Sequence, residues 1–155
     1  MGDAENAAIS RTRCSEIMTK NVVTASSAAT LREVSAMMRD GDMGTVPVVD
    51  AGRLVGLVTD RDIVVRAVAE GRSPDSPIDG VMTSEIYTVA PDDFVFQAVR
   101  LMGDKQVRRV PVTNADGTLA GIIALADVAL GTEDEREIAE TIEEISSGAS
   151  FWGRT

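Results

Sequence analysis

The chain has 155 residues, 44% of them hydrophobic but only 3% aromatic, and a formal net charge of −10. That length suits one compact domain or two small ones, the apolar share places most of the chain outside the disordered class, and the acidic excess argues against a sequence-independent grip on nucleic-acid phosphates. There is no histidine, which removes Ser-His and Cys-His catalysis and imidazole metal ligation together.

Residues 1–12 lack a basic segment followed by an apolar stretch, so they read as a flexible arm rather than a secretory signal. No apolar run approaches the roughly 20 residues a bilayer helix needs, and a cytoplasmic protein without membrane contact is the expectation. Cys14 is the single cysteine; it cannot form an intramolecular disulfide, and a small packed or partly exposed residue is expected there. A short helical turn ending at Ile17-Met18 leads to an extended piece, Val22-Val23-Thr24. Thr30 and Glu33 then form a capping-box pattern, and Leu31, Val34, Met37 and Met38 recur on one helical face. Thr45–Val49 and Arg53–Thr59 read as a hairpin around Asp-Ala-Gly, a turn composition that supplies positive φ angles. A second helix is expected from Asp60, and residues 70–80, EGRSPDSPIDG, have the composition of a linker.

From Val81 the pattern returns. At a shift of 64, Met18-Thr19 falls on Met82-Thr83, Thr24 on Thr88, Met38 on Met102 and Val46-Pro47-Val48 on Val110-Pro111-Val112. One extra turn residue (Asn-Ala-Asp-Gly, 114–117) changes the shift to 65, after which Gly56 meets Gly121 and Asp62 meets Asp127. The second copy therefore predicts an extended piece at Ile86-Tyr87-Thr88, then a helix started by Pro91 and Asp92 with Val95, Ala98, Val99 and Met102 on one face. Strands follow at Arg109–Thr113 and Thr118–Ala124, and a helix from Leu125. Each copy is β-α-β-β-α. One copy of about 60 residues would be marginal alone, so the two are expected to pack sheet to sheet. Past Gly131, Thr132 and Glu135 repeat the capping pattern, and Ile138, Ile142 and Ile145 stripe an otherwise acidic helix.

With its Ile-Met-Thr opening, its Val-Pro-Val strands and Gly-Leu-Val-Thr-Asp-Arg-Asp at residues 56–62, the chain resembles tandem cystathionine-β-synthase (CBS) domains, the Bateman module. The resemblance covers nearly all of residues 13–130 and looks like that of a small stand-alone bacterial pair. It implies an α/β (α+β) fold of two pseudo-twofold-related units, with CBS unit 1 at 13–69, a linker at 70–80, CBS unit 2 at 81–130, and a C-terminal acidic amphipathic helix and tail at 131–155. It also implies two clefts between the units, commonly holding adenine nucleotides or related adenosyl compounds, a regulatory rather than catalytic role, and a disc-like homodimer. AMP, ADP, ATP, NAD and S-adenosylmethionine are the candidate ligands, with no required cofactor and an effector protein as the further partner. The alternative is a structural or interaction dimer that binds no nucleotide.

Thr59 and Asp62 stand at a strand-to-helix junction, where capping the unpaired N–H groups accounts for both residue types. The family motif adds a second role: Asp62 as acceptor for two vicinal ribose hydroxyls, and Thr59 as a contact near the sugar or α-phosphate. The two roles can coexist. For the phosphates, the family pattern places a basic residue just before hydrophobic-Pro, which favours Arg109 over its neighbour Arg108; adjacent strand residues point to opposite faces, and pairing with surface carboxylates is the alternative for either. Lys20 and Arg61 are secondary phosphate candidates. Val22, Thr24, Ile86 and Tyr87 fall at the expected base slot, with Tyr87 either stacking on adenine or packing as core or surface platform. In the second copy Ala124 replaces the threonine and only Asp127 persists. The sites are expected to be inequivalent, with the Thr59/Asp62 cleft filled first.

Overall fold

The computed structural model describes residues 11–131. Helix α1 spans Cys14–Ile17, α2 Leu31–Gly41, strands β1 and β2 Thr45–Asp50 and Arg53–Thr59. Helix α3, Asp60–Asp62, runs directly into a π-helical stretch over Ile63–Val68, and a 3-10 turn follows at Ile78–Gly80. The second copy supplies α4 at Val95–Lys105, β3 at Arg109–Thr113, β4 at Leu119–Ala124 and α5 at Leu125–Gly131. The helix and tail expected over 131–155 lie, Gly131 apart, outside the described residues.

Helix α2 begins as its sequence predicts. Thr30 Oγ1 accepts from the Glu33 N–H at 3.1 Å, and Glu33 Oε2 accepts from the Thr30 N–H at 3.3 Å, which satisfies two orphan donors reciprocally. Leu31, Val34 and Met38 are its buried face. Helix α4 starts at Val95, three residues after the expected signal at Asp92. Residues 90–93 are committed elsewhere: Asp93 Oδ2 accepts from the Ala90 N–H at 2.8 Å, while the carbonyls of Pro91 and Asp93 receive the N–H groups of Ser15 and Cys14.

Strands β1 and β2 pair antiparallel with Thr45 opposite Thr59 and Asp50 opposite Arg53, and a bulge interrupts the register between Val48 and Val49. Ala51 and Gly52 both have positive φ in the turn, at 50° and 79°, the left-handed pair that a two-residue hairpin requires. Beside β1 lies not a strand at Val22–Thr24 but a parallel bridge from Ala25 to Val48, with the Ala25 N–H on the Pro47 carbonyl at 3.0 Å. The second copy does the same one repeat later: Val89 bridges Val112, and its N–H meets the Pro111 carbonyl at 3.1 Å. In both copies the pairing sits one residue beyond the predicted extended piece.

The outer edge of each hairpin is closed by the other repeat. Thr83 exchanges both backbone hydrogen bonds with Leu57, at 2.8 and 3.0 Å. Thr19 exchanges both with Ile122, at 2.8 and 3.1 Å. The Met-Thr opener of each copy is thus an edge piece of its sister's hairpin, and the chain forms two compact bodies whose limits differ from the repeat's. One comprises Asn21–Ile86 and Asp116–Leu119; the other comprises the segment up to Lys20, Tyr87–Ala115 and the segment from Ala120. The expected linker lies inside the first body. Ile78 is fully buried, its N–H on the Ala29 carbonyl at 2.7 Å, and the carbonyls of Pro74 and Ser76 receive the first N–H groups of α2. Thr12, placed in the N-terminal arm by its sequence, accepts from the Val95 N–H at 2.8 Å.

The first core gathers Val34, Val46, Val48, Val58, Ile78 and Val81, the second Cys14, Val95, Met102, Val110, Val112 and Ile123. Cys14 is fully buried, with its Sγ 3.6 Å from the Phe94 carbonyl oxygen. Burial, and secondarily the charge of Asp93, pushes its thiol from 9.0 up to about 11. Folded protein is therefore expected to resist alkylation at pH 8 and to react fully once unfolded in urea, because the thiolate is the nucleophile. Since the folded thiol holds its proton more tightly than the unfolded one, this group's contribution is intact below about 9 and is lost as pH rises to about 11.

Candidate functional site

In the first body, the returning strand β2 delivers Thr59 to the start of α3. Its extended backbone (φ −110°, ψ 161°) is that of an N-cap. The Asp62 N–H donates to Thr59 Oγ1 at 3.0 Å, and the Thr59 N–H donates to Asp62 Oδ2 at 2.9 Å. The Asp62 side chain is 16% exposed, and its second oxygen, Oδ1, lies 3.8 Å from Arg66 Nε. The same arginine reaches the Val81 carbonyl at 3.4 Å. One carboxylate oxygen is thus held by the cap, while the other faces only a long ion pair and keeps acceptor capacity. Arg66 was missed as a site residue, although its i,i+4 spacing from Asp62 was a readable signal.

Asp60 is the first residue of α3. Its N–H donates to the Gly44 carbonyl at 3.0 Å, and its Oδ1 accepts from the Arg61 N–H at 2.8 Å. A Cβ on Gly44 would lie 3.3 Å from Asp60 Oδ2, so the carboxylate rests over a residue without a side chain. Arg61 and Thr24 are exposed, while Val22 and Ile86 are half-buried. Asn21, which precedes Val22, takes the left-handed conformation at φ 55°, one that asparagine tolerates better than most residues.

The second body reproduces this junction with fewer groups. Asp127 Oδ2 accepts from the Ala124 N–H at 2.9 Å, matching the Asp62–Thr59 bond. Alanine offers no hydroxyl in return. The Leu125 N–H donates to the Arg108 carbonyl at 2.9 Å, matching Asp60 on Gly44. Arg108 is thereby fixed at the same helix start as Asp127 through its backbone, with its side chain exposed. Arg109 opens β3 and is also exposed, as is Lys20 at the end of the preceding segment. Tyr87 has Lys105 Nζ 4.6 Å from its ring centroid, within cation–π range. That face of the ring is occupied from within its own body, a contact to which the sequence held no clue.

The geometry brings the Thr59 and Asp62 side chains together in one body; in the other it ties Arg108 by its carbonyl to the helix start that carries Asp127. Among the described residues no group of three His, Cys, Asp or Glu side chains could hold a metal ion, and no helix is long and apolar enough to cross a membrane. Both bodies thus hold the same hairpin module, each with an aspartate that accepts a backbone N–H at the start of the following helix. The chain belongs to the CBS domain family, whose model matches residues 14–68 and 78–130; CBS domains are non-catalytic regulatory modules. It is 34% identical to the CBS domain-containing protein YhcV of Bacillus subtilis over 131 residues, 84% of this chain and 93% of that one. It is 35% identical to hypoxic response protein 1 of Mycobacterium tuberculosis over 120 residues, 76% of this chain and 83% of that one. A crystal structure of Hypoxic Response Protein I with two coordinated zinc ions matches with a TM-score of 0.71 at 34% identity, covering 77% of this chain and 98% of that one. The CBS domain pair of protein MJ0100, in complex with 5-methylthioadenosine and S-adenosyl-L-methionine, matches with a TM-score of 0.69 at 27% identity, covering 77% and 94%.

Proposed function

We propose that the protein is a cytoplasmic, homodimeric sensor of adenosyl ligands that transmits occupancy to an effector protein. The observation that carries this reading is the half-committed carboxylate of Asp62. It is anchored through Oδ2 by the cap, so its direction is set, and Oδ1 is left to accept from a vicinal diol. The two adenosyl compounds in the MJ0100 structure support the ligand class. In this reading Thr59, Asp62, Val22, Thr24, Ile86 and Arg61 are the ligand contacts of the first body taken by itself, and Lys20, Tyr87, Arg108, Arg109 and Asp127 those of the second. Ligand shifts an effector's affinity only as far as it prefers one conformation of the module. The zinc of Hypoxic Response Protein I is not carried over. This chain has no histidine, and its single cysteine is buried with its thiol pushed up.

Isothermal titration with AMP, ADP, ATP, NAD and S-adenosylmethionine tests the proposal. At least one is expected to bind with a Kd below about 1 mM, equivalent to roughly 4 kcal/mol. Silence from all five would leave the second reading, a ligand-free interaction dimer, which the reciprocal Thr59–Asp62 cap favours because it uses both side chains without any ligand.

A further inference from the structure

The first body carries an ion pair that its helix cap does not need. Arg66 Nε lies 3.8 Å from Asp62 Oδ1, and Arg66 Nη1 donates to the Val81 carbonyl at 3.4 Å. Val81 is buried, and two residues on Thr83 exchanges both backbone hydrogen bonds with Leu57. The guanidinium is therefore moored to fixed backbone on one side and turned to the carboxylate on the other. In the second body the corresponding cap bond forms without such a partner. There Asp127 Oδ2 accepts from the Ala124 N–H at 2.9 Å, and Gly131 takes the place of Arg66 in the repeat. The cap does not explain the arginine, which stands beside Oδ1, the oxygen the cap leaves open.

An acid and an arginine at such a spot do opposite things. A carboxylate accepts hydrogen bonds from a free ribose diol, whereas an arginine accommodates a phosphate carried on the ribose. Both are present here, and they spend their charges on each other. A ligand phosphorylated at its 2′ or 3′ oxygen loses a hydroxyl donor and brings negative charge against the Asp62 carboxylate. Arg66, already paired, offers that phosphate little. Arg61 does not replace it: its N–H is bound to Asp60 Oδ1 at 2.8 Å, and residues one apart lie about 100° around a helix, off the flank that Asp62 shares with Arg66. We infer that the Asp62–Arg66 pair restricts the first body to adenosyl ligands whose 2′,3′-diol is free, and that Arg66 is a phosphate-binding group which Asp62 holds neutralised. The Arg66 side chain is 51% exposed, so a ligand can reach it once the pairing charge is removed. The inference rests on the ligand reading above and adds to it a class of nucleotides that the site refuses.

The test uses the full chain and probes that differ only by a 2′-phosphate: adenosine with 2′-AMP, and AMP with adenosine 2′,5′-bisphosphate. Each is titrated calorimetrically, alone and as a competitor of S-adenosylmethionine. Wild type should bind the 2′-phosphorylated member of each pair about tenfold or more weakly. Asp62→Asn should bind that member about tenfold more tightly than wild type does, because Arg66 is then free to meet the phosphate. That gain should shrink as salt is raised. Asp62→Asn/Arg66→Gln should lose the gain, and Asp62→Asn/Arg66→Lys should keep part of it. Circular dichroism checks that each variant is folded. If wild type binds both members of a pair equally, the selectivity fails while the adenosyl reading stands. If the gain in Asp62→Asn survives Arg66→Gln, Arg66 is not the phosphate-binding group. Silence of every probe and of S-adenosylmethionine toward wild type and Asp62→Asn alike removes the ligand reading, and this inference with it.

Discussion

Gly121→Ala is expected to destabilise the protein by about 2 kcal/mol or more, the cost of overpacking against a neighbour that cannot yield. A Cβ at Gly121 would lie 2.7 Å from the Thr19 carbonyl oxygen and 2.8 Å from Met18 Sδ. The methionine can swing aside. The carbonyl cannot, because it accepts from the Ile122 N–H at 3.1 Å while the Thr19 N–H is bound to the Ile122 carbonyl at 2.8 Å. Moving it breaks the bridge through which the first repeat's opener closes the second repeat's hairpin. Gly56→Ala should cost less. There the tightest contact is the flexible Met82 side chain at 2.6 Å, and the Thr83 carbonyl stands off at 3.2 Å. Urea unfolding of the two variants checks the order. Equal stability of Gly121→Ala and wild type would mean that the exchange of openers does not hold the fold together.

The second large effect concerns ligand. Asp62→Ala removes the acceptor of the Thr59 N–H and the proposed acceptor of the ribose together. It is expected to cost about 1 kcal/mol of stability, the worth of a cap, and to weaken binding of AMP or S-adenosylmethionine by about tenfold or more. Asp62→Asn separates the two roles. Its amide oxygen can still receive the Thr59 N–H, so stability should be nearly retained, while loss of the charged second oxygen should still weaken binding. Asp127→Ala breaks the equivalent bond from Ala124 at 2.9 Å and should cost similar stability with little change in the tighter binding step. Calorimetric titrations of the three variants beside their unfolding curves give the comparison. Unchanged affinity in both Asp62 variants would remove this residue from the site.

Much of this architecture was legible because local rules acted alone. Thr30–Glu33 and Thr59–Asp62 are three residues apart on a helix start, and a side chain that short can reach only the N–H groups the helix leaves unpaired. Gly52 supplies the left-handed position that its composition allowed, while Ala51 takes φ 50° beside it against alanine's own preference, held there by the hairpin. Pro91-Asp92 misled for the complementary reason. Their neighbourhood makes a good helix start in isolation, but Cys14 and Ser15 bind the carbonyls of Asp93 and Pro91, and the helix begins only where those contacts end.

The candidate site divides the same way. That Thr59 would cap the helix, with Asp60 and Asp62 complementing its dipole, followed from their place at the strand-to-helix junction; that one Asp62 oxygen takes the Thr59 N–H while the other faces Arg66 four residues on is seen only in the fold. Lys105, eighteen residues from Tyr87, lies over one face of its ring, a contact that local sequence does not reveal. Sequence by itself determined the duplication, the β-α-β-β-α order, the hairpin turns and the Thr30–Glu33 cap, because these depend on neighbours a few residues apart or on the repeat itself. Only the tertiary structure decided which repeat closes which hairpin. The Met-Thr openers are nearly identical in sequence, so local chemistry cannot tell a hairpin's own opener from its sister's, and the choice falls to the path of the chain and the glycine that lets one backbone approach the other.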